Sequence, residues 1–285
     1  LTGWQYRKSH EIQGSPAGAV TDYQVRIKAH YSSVAFSPVW NSGIIATGTA
    51  EDTARNILID GNYLYAVSHT GKKLVIYDIS DPNAPVQKSL TDTVYNNIDI
   101  RKSGNYLFVS NQDGVDVWDV TDPTAPSLVK HVSLGGYVHG MFLSGNFLYC
   151  CQHILNKFVI LDVTDPTNPV TRGSLSGTTY FHGCHDVYVE GNYAYVTNYL
   201  AGTGEYGFVV VDVTDKDNPS VVAYAGENHK NSHVWKVGNY YYVGSHEPDA
   251  GLRIYDVTDP TSPSYVGQFF TEEGTSFGYS IAQYN

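Results

Sequence analysis

Three histidines raise the first chemical question. In "VHGMFLSG" (138–145), "CHDVYVEG" (184–191) and "SHVWKVG" (232–238), His139, His185 and His233 each stand at the entry to a short apolar run. They align across the three segments once a gap is allowed in the last. Neutral imidazole suits zinc, copper, iron or nickel, so three converging rings would bind a divalent transition metal. Arg55 and Asn97 stand near the same place in two further segments, and His182 lies just before His185, which makes all three candidate ligand-binding side chains. Tyr199 and Tyr206 sit in an insertion, "NYLAGTGEYG" (198–207), where aromatic rings could stack on sugars. No G-x-S-x-G elbow, P-loop or H-E-x-x-H occurs, and no spacing pairs two carboxylates as acid and base. No catalytic residue is therefore named.

Composition narrows the partners. The 285 residues carry 17 Lys and Arg against 28 Asp and Glu, a formal charge of −11. Binding to nucleic acid displaces counterions with clustered basic side chains, and this chain has no such excess. No apolar run approaches the roughly 18–20 residues of a membrane-spanning helix. Cys150, Cys151 and Cys184 form neither a zinc pattern nor a CxxC pair.

The elements that position these residues are read from repetition. A Gly-Asn turn followed by aromatic residues recurs as "GNYLYAV" (61–67), "GNYLFVS" (104–110), "GNFLYCC" (145–151), "GNYAYVT" (191–197) and "GNYYYVG" (238–244). Each leads to an apolar strand ending in Asp: "LVIYD" (74–78), "VDVWD" (115–119), "FVILD" (158–162), "FVVVD" (208–212) and "LRIYD" (252–256). Turns such as "VTDPTAP" follow, and the strand-ending Asp residues are 41, 43, 50 and 44 positions apart. A period in the forties with several short strands per unit is the mark of β-propeller blades. Each unit reads as strands a to d, with Gly-Asn between a and b and the Asp-Pro turn between c and d. The Asp pairs could ligate calcium, but near-identical copies in every unit argue for a structural turn.

"LVIYD", "FVILD" and "FVVVD" followed by the Asp-Pro turn resemble the LVIVD-repeat family. Its members are β-propellers found largely in bacterial and archaeal cell-surface or secreted proteins. The resemblance covers residues 52–285 and implies a fold and an extracellular or cell-surface location, with no single activity attached. The opening "GWQYRKSHEI…TDYQVRI" also resembles the start of an uncharacterised domain of archaeal surface proteins.

The expected fold is all-β, a single domain over 1–285: a six-bladed propeller with five complete four-stranded blades over 51–276 and one shared blade. Residues 1–50 would give the closing blade its strands b to d, and 277–285 its strand a. On this scheme strand a lines the channel, so His139, His185 and His233 form a polar collar at its mouth. The collar either holds a metal or lines a hydrated channel by hydrogen bonding. Neighbouring blades would also allow one disulfide, from Cys184 to Cys150 or Cys151.

The function expected first is a non-catalytic extracellular structural or interaction module. Its partners would be other surface proteins or copies of itself joined through terminal strands. A metal-dependent enzyme of lyase or oxidase type acting on polysaccharide, and a carbohydrate-binding module, are the alternatives.

Overall fold

The computed structural model describes residues 54–199, 207–226, 231–245 and 251–269. Every described residue belongs to one compact unit spanning 39–285. The described residues form five antiparallel sheets of four strands, and none is helical. The first sheet holds β1 (Ala54–Asp60), β2 (Tyr63–Ser68), β3 (Lys73–Asp78) and β4 (Val86–Asp92). The second holds β5 (Asn97–Ser103), β6 (Tyr106–Asn111), β7 (Gly114–Asp119) and β8 (Ser127–Ser133). The third holds β9 (Val138–Ser144), β10 (Phe147–Gln152), β11 (Lys157–Asp162) and β12 (Val170–Ser176). The fourth holds β13 (Cys184–Glu190), β14 (Tyr193–Asn198), β15 (Gly207–Asp212) and β16 (Ser220–Gly226). The fifth holds β17 (Asn231–Val237), β18 (Tyr240–Ser245), β19 (Leu252–Asp256) and β20 (Ser264–Phe269). These are the five repeats expected from the sequence. The closing blade assigned to 1–50 and 277–285 lies outside the described residues.

Both repeated turns have a physical cause. Gly61, Gly104, Gly145, Gly191 and Gly238 adopt φ between 53° and 58°, as the first central residue of a type II′ hairpin turn requires. After the third strand, Asp119 and Asp256 accept the amide and hydroxyl of Thr121 and Thr258. Asp122 and Asp259 do the same for Thr124 and Thr261. Such bonds favour the ionised carboxylate; at Asp78, the Ser80 amide first and Lys88 after it bring the pKa to about 2. The acidic side chains are spent inside their own turns.

The core lies between sheets. Tyr65, Leu74 and Ile76 pack on Ile100, Leu107 and Trp118. Phe108 and Val117 pack on Met141, Leu148 and Val159. Phe158 and Ile160 meet Val187 and Val209, and Phe208 meets Tyr241 and Tyr255. Each such buried side chain is worth about 1.5–3 kcal/mol. This stacking sets the first strands side by side: β1 beside β5, β5 beside β9, β9 beside β13, and β13 beside β17.

Tyr241 offers a test of this packing. Its ring stacks on Tyr195 at 4.0 Å, yet its hydroxyl is buried without a hydrogen-bond partner among the described residues. Tyr241→Phe removes that unpaired group, so stability should rise by about 1 kcal/mol or more. A thermal melt should show this as a gain of roughly 2–4 °C. A lower melting temperature would mean that the hydroxyl is bonded.

Candidate functional site

A pocket of about 650 Å³ opens where the first strands meet. Arg55 of β1, Asp99 and Arg101 of β5, His139 of β9, His185 and Asp186 of β13, and Ser232 and His233 of β17 all line it. Tyr137, His153 and Tyr199 reach it from connecting segments.

Strand register corrects one expectation. Asp186 of β13 pairs with Thr197, and His233 of β17 pairs with Gly244, each just past a bulge. His233 therefore matches Asp186, and Ser232 matches His185. No gap is present, because each strand is anchored at its turn glycine, and a one-residue slip would send every side chain to the other face. One row across the sheets thus reads Arg55, Ile98, His139, His185, Ser232. The next reads Asn56, Asp99, Gly140, Asp186, His233.

The imidazoles nonetheless come together, and His153 joins them. The ring centres of His139 and His185 lie 3.8 Å apart, His139 and His153 5.6 Å, His153 and His185 6.0 Å, and His185 and His233 5.8 Å. His185 is 6% exposed, and its Nδ1 lies 2.6 Å from the Ser232 carbonyl oxygen. A carbonyl only accepts, so Nδ1 carries the proton and Nε2 the lone pair. Burial, then the charges of Arg55 and the other histidines, lowers the His139 pKa to about 3. Burial followed by the charge of His139 holds His185 well below its ordinary value. His153 is lowered by burial and then by His182, and His69 by burial and then by Arg55. His139, His153 and His185 are therefore neutral at neutral pH.

The carboxylates of the second row have a different duty. Asp99 Oδ2 accepts the Met141 amide at 2.8 Å, and Asp186 Oδ2 accepts the Val234 amide at 3.2 Å. Each clasps its sheet to the next one. Their Oδ1 atoms accept the amides of Ile100 and Val187, and Asp99 Oδ1 also accepts from Arg101 at 2.6 Å. Burial raises the pKa of Asp186, with Asp99 adding to the rise and His233 and Arg101 opposing it. Gly140 fills the same position in the third sheet because nothing larger fits: an added Cβ would lie 2.5 Å from the His185 carbonyl oxygen.

The other expected site residues divide. Tyr199 lines the pocket but lies flat on His185 at 5.0 Å, which occupies a face that a sugar would use. Asn97 is fully buried, and its amide donates to Ser68 O, Lys73 O and Thr93 Oγ1, tying two sheets together away from the pocket. His182 stands outside the lining, near enough for its charge to act on His153. Tyr206 lies outside the described residues. His153, Tyr137, Asp99 and Arg101 were not singled out from the sequence; only the placement of His153 in a second-to-third-strand loop pointed toward this face.

Cys150, Cys151 and Cys184 are buried free thiols in this structure. Cys150 faces the second sheet and Cys151 the fourth, by the alternation of β10. Cys151 hydrogen-bonds with the Cys184 thiol; burial first, then that bond, pushes its pKa up and disfavours the reactive thiolate.

The LVIVD repeat model matches residues 52–93, 97–133, 135–176, 184–225 and 230–271. The chain belongs to the LVIVD-repeat family. Among solved structures, this LVIVD-repeat protein is similar to a candidate 6-phosphogluconolactonase from Bacteroides fragilis at 14% identity and a TM-score of 0.62, covering 74% of this chain and 68% of that one. A second such candidate, from Bacteroides uniformis, shows 15% identity and a TM-score of 0.65, with 74% and 69% covered. Kuenenia stuttgartiensis hydrazine synthase shows 16% identity and a TM-score of 0.59, with 78% and 68% covered. At such identities these likenesses carry the β-propeller fold alone. The search of curated proteins found no match. Among the described residues, no helix of the LVIVD-repeat protein is long and apolar enough to cross a membrane.

At a further histidine of this LVIVD-repeat propeller the pKa shift runs the other way. His131 Nδ1 lies 2.6 Å from Asp116 Oδ1, and Nε2 lies 2.9 Å from Asp113 Oδ2. Tyr95 stacks on the ring at 4.8 Å. Burial alone would lower the His131 pKa, but the hydrogen bonds to Asp113 and Asp116 and their charges outweigh it and leave it raised. A raised folded pKa means that the native state binds the extra proton, so this stabilisation is complete below about pH 6.5 and fades as pH rises through the folded value. Asp116, raised chiefly by burial, acts in the same direction over its own titration, and Asp113, lowered by its bond to His131, acts oppositely in acid. NMR titration should place the His131 midpoint above 6.5. A midpoint below that value would contradict the double carboxylate clamp.

Proposed function

We propose that this protein is a non-catalytic extracellular or cell-surface propeller, closed as a six-bladed ring, that binds its ligand at the histidine pocket. The observation that carries the non-catalytic reading is the commitment of Asp99 and Asp186, the carboxylates that line the pocket, to backbone amides of the adjoining sheets. Neither is placed to shuttle a proton, and the neutral imidazoles beside them serve as fixed donors and acceptors. Family membership supports the surface location.

Closure is supported by one side chain. Ile57 is 54% exposed, whereas its counterparts Ile100, Met141, Val187 and Val234 in the other four first strands are 0%, 0%, 2% and 5% exposed. Each buried counterpart has a preceding sheet, and β1 has none among the described residues. Residues 1–50 and 277–285, assigned by the repeat scheme to strands b to d and strand a, supply a sixth blade for that face. Closing the ring also removes sheet edges that would pair with other chains.

Two experiments test the proposal. Purified protein incubated with neutral and acidic polysaccharides, with and without divalent metal ions, should release no new reducing ends or unsaturated products. Product formation abolished by His185→Ala would overturn the non-catalytic reading. Deleting residues 1–35 should leave an unstable or aggregating protein; a truncated chain that folds as a stable monomer would sink the closed ring.

A further inference from the structure

Resting on the reading of this pocket as a binding site, we infer that His139, His153 and His185 hold a transition-metal ion such as zinc(II), copper(II) or nickel(II), with His233 alongside. The donor set differs from the one suggested by sequence alignment. His153 replaces His233 as the third ligand, since register moves His233 into the second row.

Ring spacing is the first support. Two imidazoles sharing a tetrahedral zinc at about 2.0–2.1 Å place their ring centres roughly 5 Å apart. The 5.6 Å between His139 and His153 and the 6.0 Å between His153 and His185 are close to that spacing. The 3.8 Å between His139 and His185 is too tight, and no three described side chains yet surround one point at coordinating distance. Loading therefore requires the His139 ring to turn off the His185 face into the adjoining pocket. Its half-buried position and the roughly 650 Å³ of space leave room for that rotation.

Orientation is the second support. His185 donates Nδ1–H to a backbone carbonyl, which fixes the tautomer and leaves Nε2 as the free donor. Metal-ligating histidines are held in this way. His233 Nδ1 is also buried without a hydrogen-bond partner among the described residues.

The donor chemistry predicts selectivity. Calcium and magnesium demand oxygen ligands, and the pocket carboxylates are already bonded to amides. Nitrogen donors favour zinc, copper and nickel instead.

The test uses the full chain, stripped with chelator and titrated by calorimetry with zinc, copper, nickel and calcium salts. One equivalent of a transition metal should bind at micromolar concentration or below, and calcium should not bind at the pocket. His153→Ala and His185→Ala should each weaken binding by more than the roughly 10–100-fold that an outer-sphere partner is worth. His233→Ala should cost less than His153→Ala. Circular dichroism confirms that each variant folds, and His153→Gln, on a loop, serves if His185→Ala does not. Cobalt(II) should give the visible absorption of a tetrahedral nitrogen site. Absence of stoichiometric uptake, or uptake unchanged in the His153 and His185 variants, overturns the proposal. That failure leaves the non-catalytic reading intact, because only product formation sinks it.

Discussion

Gly140→Ala is expected to lower the melting temperature by roughly 6–12 °C, the equivalent of about 3 kcal/mol. The new Cβ would lie 2.5 Å from the His185 carbonyl oxygen, 2.6 Å from Asp186 Oδ1 and 2.7 Å from Asp186 Cα. Two of those atoms are backbone, so relief requires the third and fourth sheets to separate. Separation would also stretch the apolar contact between Phe158 and Val187 and shift the imidazoles of the pocket. Gly267→Ala in β20 is the control, because none of the described residues lies within 4 Å of its added Cβ. Its melting temperature should stay unchanged or rise slightly. A Gly140 variant as stable as the Gly267 variant would show that the sheets approach less closely than described.

Asp99→Ala should cost about 3 kcal/mol or more, read as a lower urea midpoint with an unchanged slope. Asp99 is 4% exposed, and its carboxylate accepts the Ile100 and Met141 amides, the Asn56 side-chain amide and the Arg101 guanidinium. Alanine leaves buried donors unpaired on two sheets and removes the counter-charge of Arg101. Asp99→Asn should be intermediate, keeping an acceptor at one oxygen while turning an amide group toward other donors. A loss below about 1 kcal/mol for the alanine variant would mean that the clasp between second and third sheets is dispensable.

The repeats were legible because local chemistry dictates them. A Gly at positive φ and an Asp that caps its own turn need only neighbouring residues, so "GNYLYAV" and "VTDPTAP" announced their structures. The register of β17 was legible too, if the turn glycine is used as anchor. Counting back from Gly238 as from Gly191 puts Ser232, not His233, opposite His185. Matching histidine to histidine forced a gap that a paired strand has no room for. Cys150 and Cys151 had to face opposite neighbours by strand alternation, but which one met Cys184 depended on sheet order. The Asp99 and Asp186 clasps were hidden, since their partners Met141 and Val234 lie more than forty residues along the chain. His153 was hidden for a similar reason: its loop is placed by the third sheet, and no spacing rule links it to His185.

The central claim is that the pocket presents neutral imidazoles with defined lone pairs. Long-range proton–nitrogen correlation NMR of the histidine rings at neutral pH reads this directly, because protonated and bare ring nitrogens resonate far apart. His185 should appear as the Nδ1–H tautomer with a bare Nε2, and His139 and His153 as neutral rings. An imidazolium at His185, or its Nε2–H tautomer, would contradict the account.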